Sequence, residues 1–164
     1  MNLWDLTAVE MARRVRDKSV SPVDLVRACL ERAETVQPKL NCFCFTYPDE
    51  ALETARAAEA AVMRGDDVGP LHGVPVAIKD FTPTRGKTTT RGSAAFRNWV
   101  PERDAVIVER LGQAGAILLG KTATPEFAYS GFTRSPLWGH TRNPWDASRN
   151  AGDMGNTRVQ LRWG

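Results

Sequence analysis

The sequence predicts an α/β fold in which N-terminal helices are followed by strands. Three observations carry that prediction. Apolar residues recur at helical spacing through the first 65 positions. Two short apolar runs, "VPVAIKD" (74–80) and "AILLG" (116–120), have the length and residue types of strands. Between them lies a helical segment, "AVIVERLGQAG" (105–115), so the second half reads strand, loop, helix, strand.

The elements follow in order. Thr7 and Glu10 make the T-x-x-E pattern of a capping box, opening a helix that carries Met11 and Val15 on one side. "SVSPVD" interrupts the chain and restarts it, with Ser21 as N-cap and Pro22 at the first helical position. Leu25, Val26, Cys29, Leu30 and Ala33 then share a face, and Pro38 is expected to end the helix. "LNCFCF" (40–45) reads as a short strand, and "PDEALETARAAEAAVMRG" (48–65) as a third helix stopped by Gly65. After "VPVAIKD" comes a Gly- and Thr-rich loop, "FTPTRGKTTTRGS" (81–93). Asp104 is placed to cap the next helix, and both flanking strands are apolar enough to be covered on two faces. Beyond Lys121 the chain is rich in Pro and Gly, and Pro125 is placed to start a short helix through Glu126 and Phe127.

The 164 residues suffice for one ordinary domain, and 42% hydrophobic with 25% charged residues is a globular composition. A net charge of +3 is mild, and no basic tract with interleaved aromatics appears, so nucleic acid is not an expected partner. The N-terminus has no apolar core of a secretory signal, and no run approaches the ~20 apolar residues that span a bilayer. A cytoplasmic location without membrane association is therefore expected. The three cysteines, Cys29, Cys42 and Cys44, are odd in number and lack CxxC spacing, so they read as free thiols and small core residues, with no metal site. His72 and His140 sit in Gly-flanked loops without sequence partners and read as packing or surface groups. "GAILLGKT" lacks the spacing of a phosphate-binding loop. No cofactor is expected.

Lys79 is the residue that asks for an explanation, because an apolar strand ends in an ammonium group. From residue statistics alone it is a strand-end lysine facing solvent beside Asp80. The alternative is a desolvated amine, whose pKa falls below its ordinary value of about 10.4 and which can accept a proton near neutrality.

"GPLHGVPVAIKD" (69–80), "TTRGS" (89–93), "DAVIVERLGQAGAILLGKT" (104–122), "PEF" (125–127) and "GHTRNPW" (139–145) together resemble the amidase signature family in wording, order and spacing. The resemblance covers about residues 1 to 149, with its specific part at 69–149. It implies the N-terminal portion of an α/β/α fold around a mixed sheet. It also implies hydrolysis of small-molecule carboxylic amides through an acyl-enzyme by a nucleophilic serine, a bridging serine on a cis peptide and a lysine. The lysine of that triad maps onto Lys79, as general base. Within the family, tRNA-dependent amidotransferase subunits tend to carry Met-Asp-Glu-Phe where this chain has Thr124-Pro125-Glu126-Phe127, a departure that favours a general amidase.

The resemblance stops where the two serines should follow "NPW". The chain reads "NPWDASRNAGDMGNTRVQLRWG", with no serine after Ser148. Back-translated and read one nucleotide later, "NTRVQLRWG" permits Thr, Pro, Gly, Ser or Cys, Ser, Ser, Gly, Gly, which is the family's missing segment. Residues 150–164 are therefore expected to be a frame-shifted tail on a truncated domain (1–149). The chain alone is expected to be an inactive, poorly soluble amidase fragment. The alternatives are a non-catalytic module that binds a partner to complete its sheet, and an A-type amidotransferase subunit. The sequence does not fix the amide or the oligomeric state.

Overall fold

The structure is a computed structural model, and it describes residues 2–151. The expected frame-shifted tail lies, but for its first two residues, outside them.

Thr7 caps helix α1 (Ala8–Arg16), its hydroxyl accepting from Glu10 N while the Glu10 carboxylate accepts from Thr7 N, and Met11, Ala12 and Val15 are buried. Ser21 caps α2 (Pro22–Leu40), whose buried face includes Leu25, Val26, Cys29, Leu30 and Ala33. Pro38 does not end this helix, contrary to expectation. It sits in the last turn, and the chain leaves only at Asn41, in the left-handed conformation at φ 51° with its N–H on the Gln37 carbonyl. A proline there removes a single ladder bond, which the packing of Val36 and Leu40 offsets. Helix α3 (Pro48–Arg64) stops at Gly65, φ 82°, and packs Ala51, Ala55 and Ala58 against α2.

Three strands form the sheet, in the order β1 (Phe43–Thr46), β3 (Ile117–Thr122), β2 (Pro75–Lys79). β1 runs antiparallel to β3 and β2 parallel to it, so the sheet is mixed. Helix α4 (Val106–Gln113) lies between β2 and β3 in sequence, as the strand, loop, helix, strand reading requires. It has no side-chain cap: Ala105 is the N-cap residue, and Asp104 instead accepts from Arg85 N at 2.6 Å. Both faces of β2 are not covered as expected, since only Ile78 is fully buried. Central β3 is buried from Leu119 to Thr122, and Ile117 and Leu119 join the core under α2 and α3. A second ribbon pairs β4 (Arg134–Ser135) with β5 (Gly139–His140).

Gly120 shows why the central strand needs a glycine. A Cβ there would meet the Phe45 carbonyl oxygen at 2.2 Å, where Gly120 pairs with Thr46 on β1.

Candidate active site

Strand alternation divides the polar residues at the end of β2 into two sets. Ile78 pairs with Lys121 and Lys79 with Thr122 across the parallel ladder. Neighbours in register point to the same face, so Lys79 and Lys121 project to opposite sides of the sheet.

Lys79 is half-buried, at the last position of β2. Its Nζ lies 5.9 Å from the centroid of the Phe81 ring. The guanidinium of Arg91 lies over the same ring at 5.7 Å, and over Phe96 at 5.0 Å and Trp99 at 4.8 Å. Arg91 is held by its backbone as well: its N–H donates to the Asp80 carbonyl and its own carbonyl accepts from Phe127 N. Phe127 and Ala128 adopt positive φ, 51° and 56°, in a 3₁₀ turn at Glu126–Ala128. The short helix expected there is thus one turn, with Pro125 before it as the capping residue.

The other face holds a buried polar cluster that sequence reasoning missed. Lys121 has no solvent exposure. Its three ammonium hydrogens have three acceptors: the Thr82 carbonyl at 2.7 Å, Thr84 Oγ1 at 2.9 Å and Thr89 Oγ1 at 3.0 Å. The two hydroxyls donate in turn to the carbonyls of Thr82 and Lys87, leaving lone pairs for the amine. Desolvation holds the Lys121 pKa down to about 8, against the attraction of Asp80, Cys44 and Asp104. Asp80 is equally buried and accepts from Thr90 N at 3.1 Å and from the Thr90 hydroxyl. Burial pushes its carboxyl above the ordinary value, while the Thr90 hydrogen bonds and Lys121 pull it back. Trp138 Nε1 donates to Thr90 Oγ1 at 2.9 Å, tying in the segment before "NPW".

The cluster turns the Thr-rich loop into a fixed wall. Lys121 and Asp80 grip it from the sheet. On the outside Lys87 pairs with Glu50 of α3 and stacks 4.4 Å from the Tyr47 ring. A sequence signal for Lys121 existed: "AILLGK" runs an apolar strand into a lysine just as "VAIK" does. Burial, the reason for singling out Lys79, applies to Lys121 with more force.

The remaining candidates fall outside the cluster. His72 Nε2 is 3.0 Å from the Ala58 carbonyl, and exposed His140 pairs Nδ1 with Asn150 Oδ1 at 3.2 Å. Cys29 and Cys42 are buried, with thiols pushed up to about 11 by desolvation. Cys44 is raised further by burial and the nearby Asp80. No group of three metal-ligating side chains occurs among the described residues. A cleft of about 650 Å³ opens beside the 3₁₀ turn, lined by Phe127, Tyr129, Phe132, Arg134 and His140 among others.

A mixed sheet under two helices, with the Lys79 strand beside a threonine loop, is an α/β scaffold, and comparison with known proteins supplies its family. The family model for amidases matches residues 24–153, and the chain belongs to the amidase family. It is similar to the A-type component of the glutamyl-tRNA(Gln) amidotransferase of Acidothermus cellulolyticus, 43% identical over 146 residues, covering 89% of this chain and 29% of that protein. It is also similar to the indoleacetamide hydrolase of Bradyrhizobium diazoefficiens, 39% identical over 150 residues, covering 92% and 29%. Among solved structures, a bacterial aryl acylamidase of the amidase signature family superposes with a TM-score of 0.85 at 32% identity, over 90% of this chain and 31% of that one. The chain thus spans about a third or less of the relatives it matches.

Proposed function

We propose that this chain carries the lysine-bearing N-terminal part of a serine-dependent amide hydrolase, with Lys79 as its proton acceptor. The observation that carries the reading is the placement of Lys79. It ends β2 half-buried, on the face opposite the Lys121 cluster, at the edge of a wall fixed from two sides. A partly desolvated amine held there can take a proton from a serine hydroxyl, which releases the nucleophile to attack the amide carbonyl and form an acyl-enzyme. No serine follows Ser148 in the 164-residue sequence. On this reading the 164-residue polypeptide does not hydrolyse amides by itself, and residues 150–164 derive from a shifted frame.

Three experiments test this. The coding DNA past codon 149, read one nucleotide later, should continue into Thr-Pro-Gly and a Gly-Ser-rich segment; a frame without them removes the frame-shift reading. A frame-restored protein should hydrolyse simple carboxylic amides, and Lys79→Ala should lower its kcat by about 10²–10⁴-fold, the usual contribution of a general base. Amide hydrolysis by the 164-residue chain, abolished by Lys79→Ala, would show that the two serines are not needed.

The amidotransferase reading draws on the 43% identity to a component of such an enzyme. It predicts glutamine as the preferred amide for the frame-restored protein. The Thr124-Pro125 pair and a 39% identity to a hydrolase of a small amide support the general amidase instead.

A further inference from the structure

The Thr90 hydroxyl joins buried Asp80 to the turn of the β4–β5 ribbon, and its whole hydrogen-bonding capacity is in use. It accepts from Gly92 N at 3.1 Å and from Trp138 Nε1 at 2.9 Å, and it donates to Asp80 Oδ2. A hydroxyl has two lone pairs and one hydrogen, so with both lone pairs taken its hydrogen goes to the carboxylate. Thr90 N donates to the other oxygen, Oδ1, at 3.1 Å. Both Asp80 oxygens thus meet donors from Thr90, as an ionised carboxylate requires. A proton on Asp80 removes the charge that strengthens these bonds, and on Oδ2 it sets a second hydrogen between two oxygens that already share one. The backbone of Trp138 is anchored independently: its carbonyl accepts from Asn41 Nδ2 at 2.6 Å and its N–H donates to Ser135 Oγ at 2.9 Å. The indole meets Phe45 edge-on, with ring centroids 5.1 Å apart, and sends its N–H to Thr90.

We propose that Asp80 is an acid-sensitive clasp: ionised, it holds Thr90 and through it the Trp138 indole, and protonated, it releases the indole and parts the Thr90 end of the threonine loop from the ribbon. The titratable groups around Asp80 are Lys121 on β3, Cys44 on β1 and Tyr47 before α3. Below pH 7 none of the three changes charge. Lys121 is protonated, with its pKa at about 8, and burial pushes the Cys44 thiol and the Tyr47 phenol up, so both are neutral. Further out, Glu50, paired with Lys87, acts on Tyr47, and Asp104, bonded to Arg85 N, acts on Lys121. Arg91 meets Asp80 through its backbone N–H, and Lys79 projects from the other face of the sheet. Lys121 keeps its hold on Thr84 and Thr89, which confines the change to the far end of the loop. Burial raises the folded Asp80 carboxyl above its ordinary value. The folded chain therefore takes up this proton at higher pH than the unfolded chain, and protonating Asp80 does not itself favour unfolding.

The test titrates the 164-residue chain, labelled with ¹³C and ¹⁵N, from pH 7.5 to 4. Asp80 Cγ and the Trp138 indole N–H are followed together, the indole signal being the one absent from Trp138→Phe. The Asp80 midpoint should lie above the ~3.9 of a free aspartate. At that same midpoint, solvent exchange of the indole proton, corrected for its intrinsic pH dependence, should speed at least tenfold, while amide protection in α2 and β3 is retained. Asp80→Asn is uncharged and sets N–H donors against Thr90. Its indole proton should exchange at least tenfold faster than the parent's at pH 7.5, with no further step in acid. Thr90→Val removes the link and should behave likewise, whereas Thr90→Ser keeps the hydroxyl and should restore the parent's step. The parent titration and the valine–serine pair decide the matter even if Asp80→Asn does not fold. The proposal is overturned if indole exchange is unchanged across the Asp80 titration, or if its step has a different midpoint. It is equally overturned if the step persists in Asp80→Asn or Thr90→Val, or if α2 loses protection before Asp80 titrates. None of these readouts involves Lys79 or amide hydrolysis, so the result is independent of the proton-acceptor reading.

Discussion

Lys121 keeps an ammonium group in the interior because each of its three hydrogens has an acceptor and Asp80 is near enough to attract it. The cost of burial shows in its pKa, held down to about 8. The sign of the consequence follows from linkage. Below pH 8 both folded and unfolded chains hold the proton, and the fold bears the full penalty of a desolvated charge. Between about 8 and 10.4 the folded amine is neutral while the unfolded one still binds a proton, so this group's contribution to stability rises with pH. Cys29 and Cys42 act the other way: with folded pKa values raised to about 11, they lose stability above about pH 8.5, where unfolded thiols ionise. The bulk curve mixes these opposed effects, and a difference isolates the lysine. The stability of the parent minus that of Lys121→Met should rise by roughly 2–3 kcal/mol between pH 7.5 and 10.5 in urea melts. A flat difference would mean that Lys121 titrates normally. Lys79 was legible in the sequence because a motif surrounds it. Arg91 was not, because its three rings come from positions 81, 96 and 99, and no local pattern in the loop announces that they converge.

Among the elements, the helices were the easiest to read and their ends the least certain. Thr7, Ser21 and Gly65 act as their residue types predict, since a cap is decided by neighbours within four positions. Pro38 and Asp104 were misread because long-range contacts outweigh local preference. Packing of the α2 end carries the helix past the proline, and the loop at Arg85 takes the aspartate that α4 could have used. Thr7→Ala should therefore cost about 1 kcal/mol in chemical denaturation, the usual effect of a lost cap. The sheet is more sensitive. Gly120→Ala puts a methyl group 2.2 Å from the Phe45 carbonyl oxygen, and the atom in the way is backbone, which cannot rotate aside. The pairing of β1 with β3 must open, at a cost of about 3 kcal/mol or more. Amide hydrogen exchange should show lost protection concentrated in Phe43–Thr46 and its partners on β3; a loss under 1 kcal/mol would mean that the strands can separate freely there.

At the scale of the whole molecule, the described residues leave apolar surface uncovered. Helix α4 has no fully buried residue, and Val106 and Ile107 at its start are 70% and 58% exposed. Tyr129 is 94% and Trp145 65% exposed, and β1 and β2 are both edges of a three-stranded sheet. Scattered apolar side chains are ordinary on a protein surface, but adjacent ones on a helix with no fully buried residue, together with open strand edges, promote association. Val106→Glu combined with Ile107→Lys tests this with the fewest side effects. The net charge stays at +3, so electrostatic self-repulsion is unaltered in sum. Glutamate in the first turn suits the positive end of the helix dipole. Both side chains are exposed, so the change in folding stability should stay within about 0.5 kcal/mol. At tens of micromolar the weight-average mass from sedimentation should fall toward the 18.1 kDa of one chain. If mass is unchanged while stability is preserved, α4 is not the sticky face, and the edges of β1 and β2 become the place where copies of this chain meet.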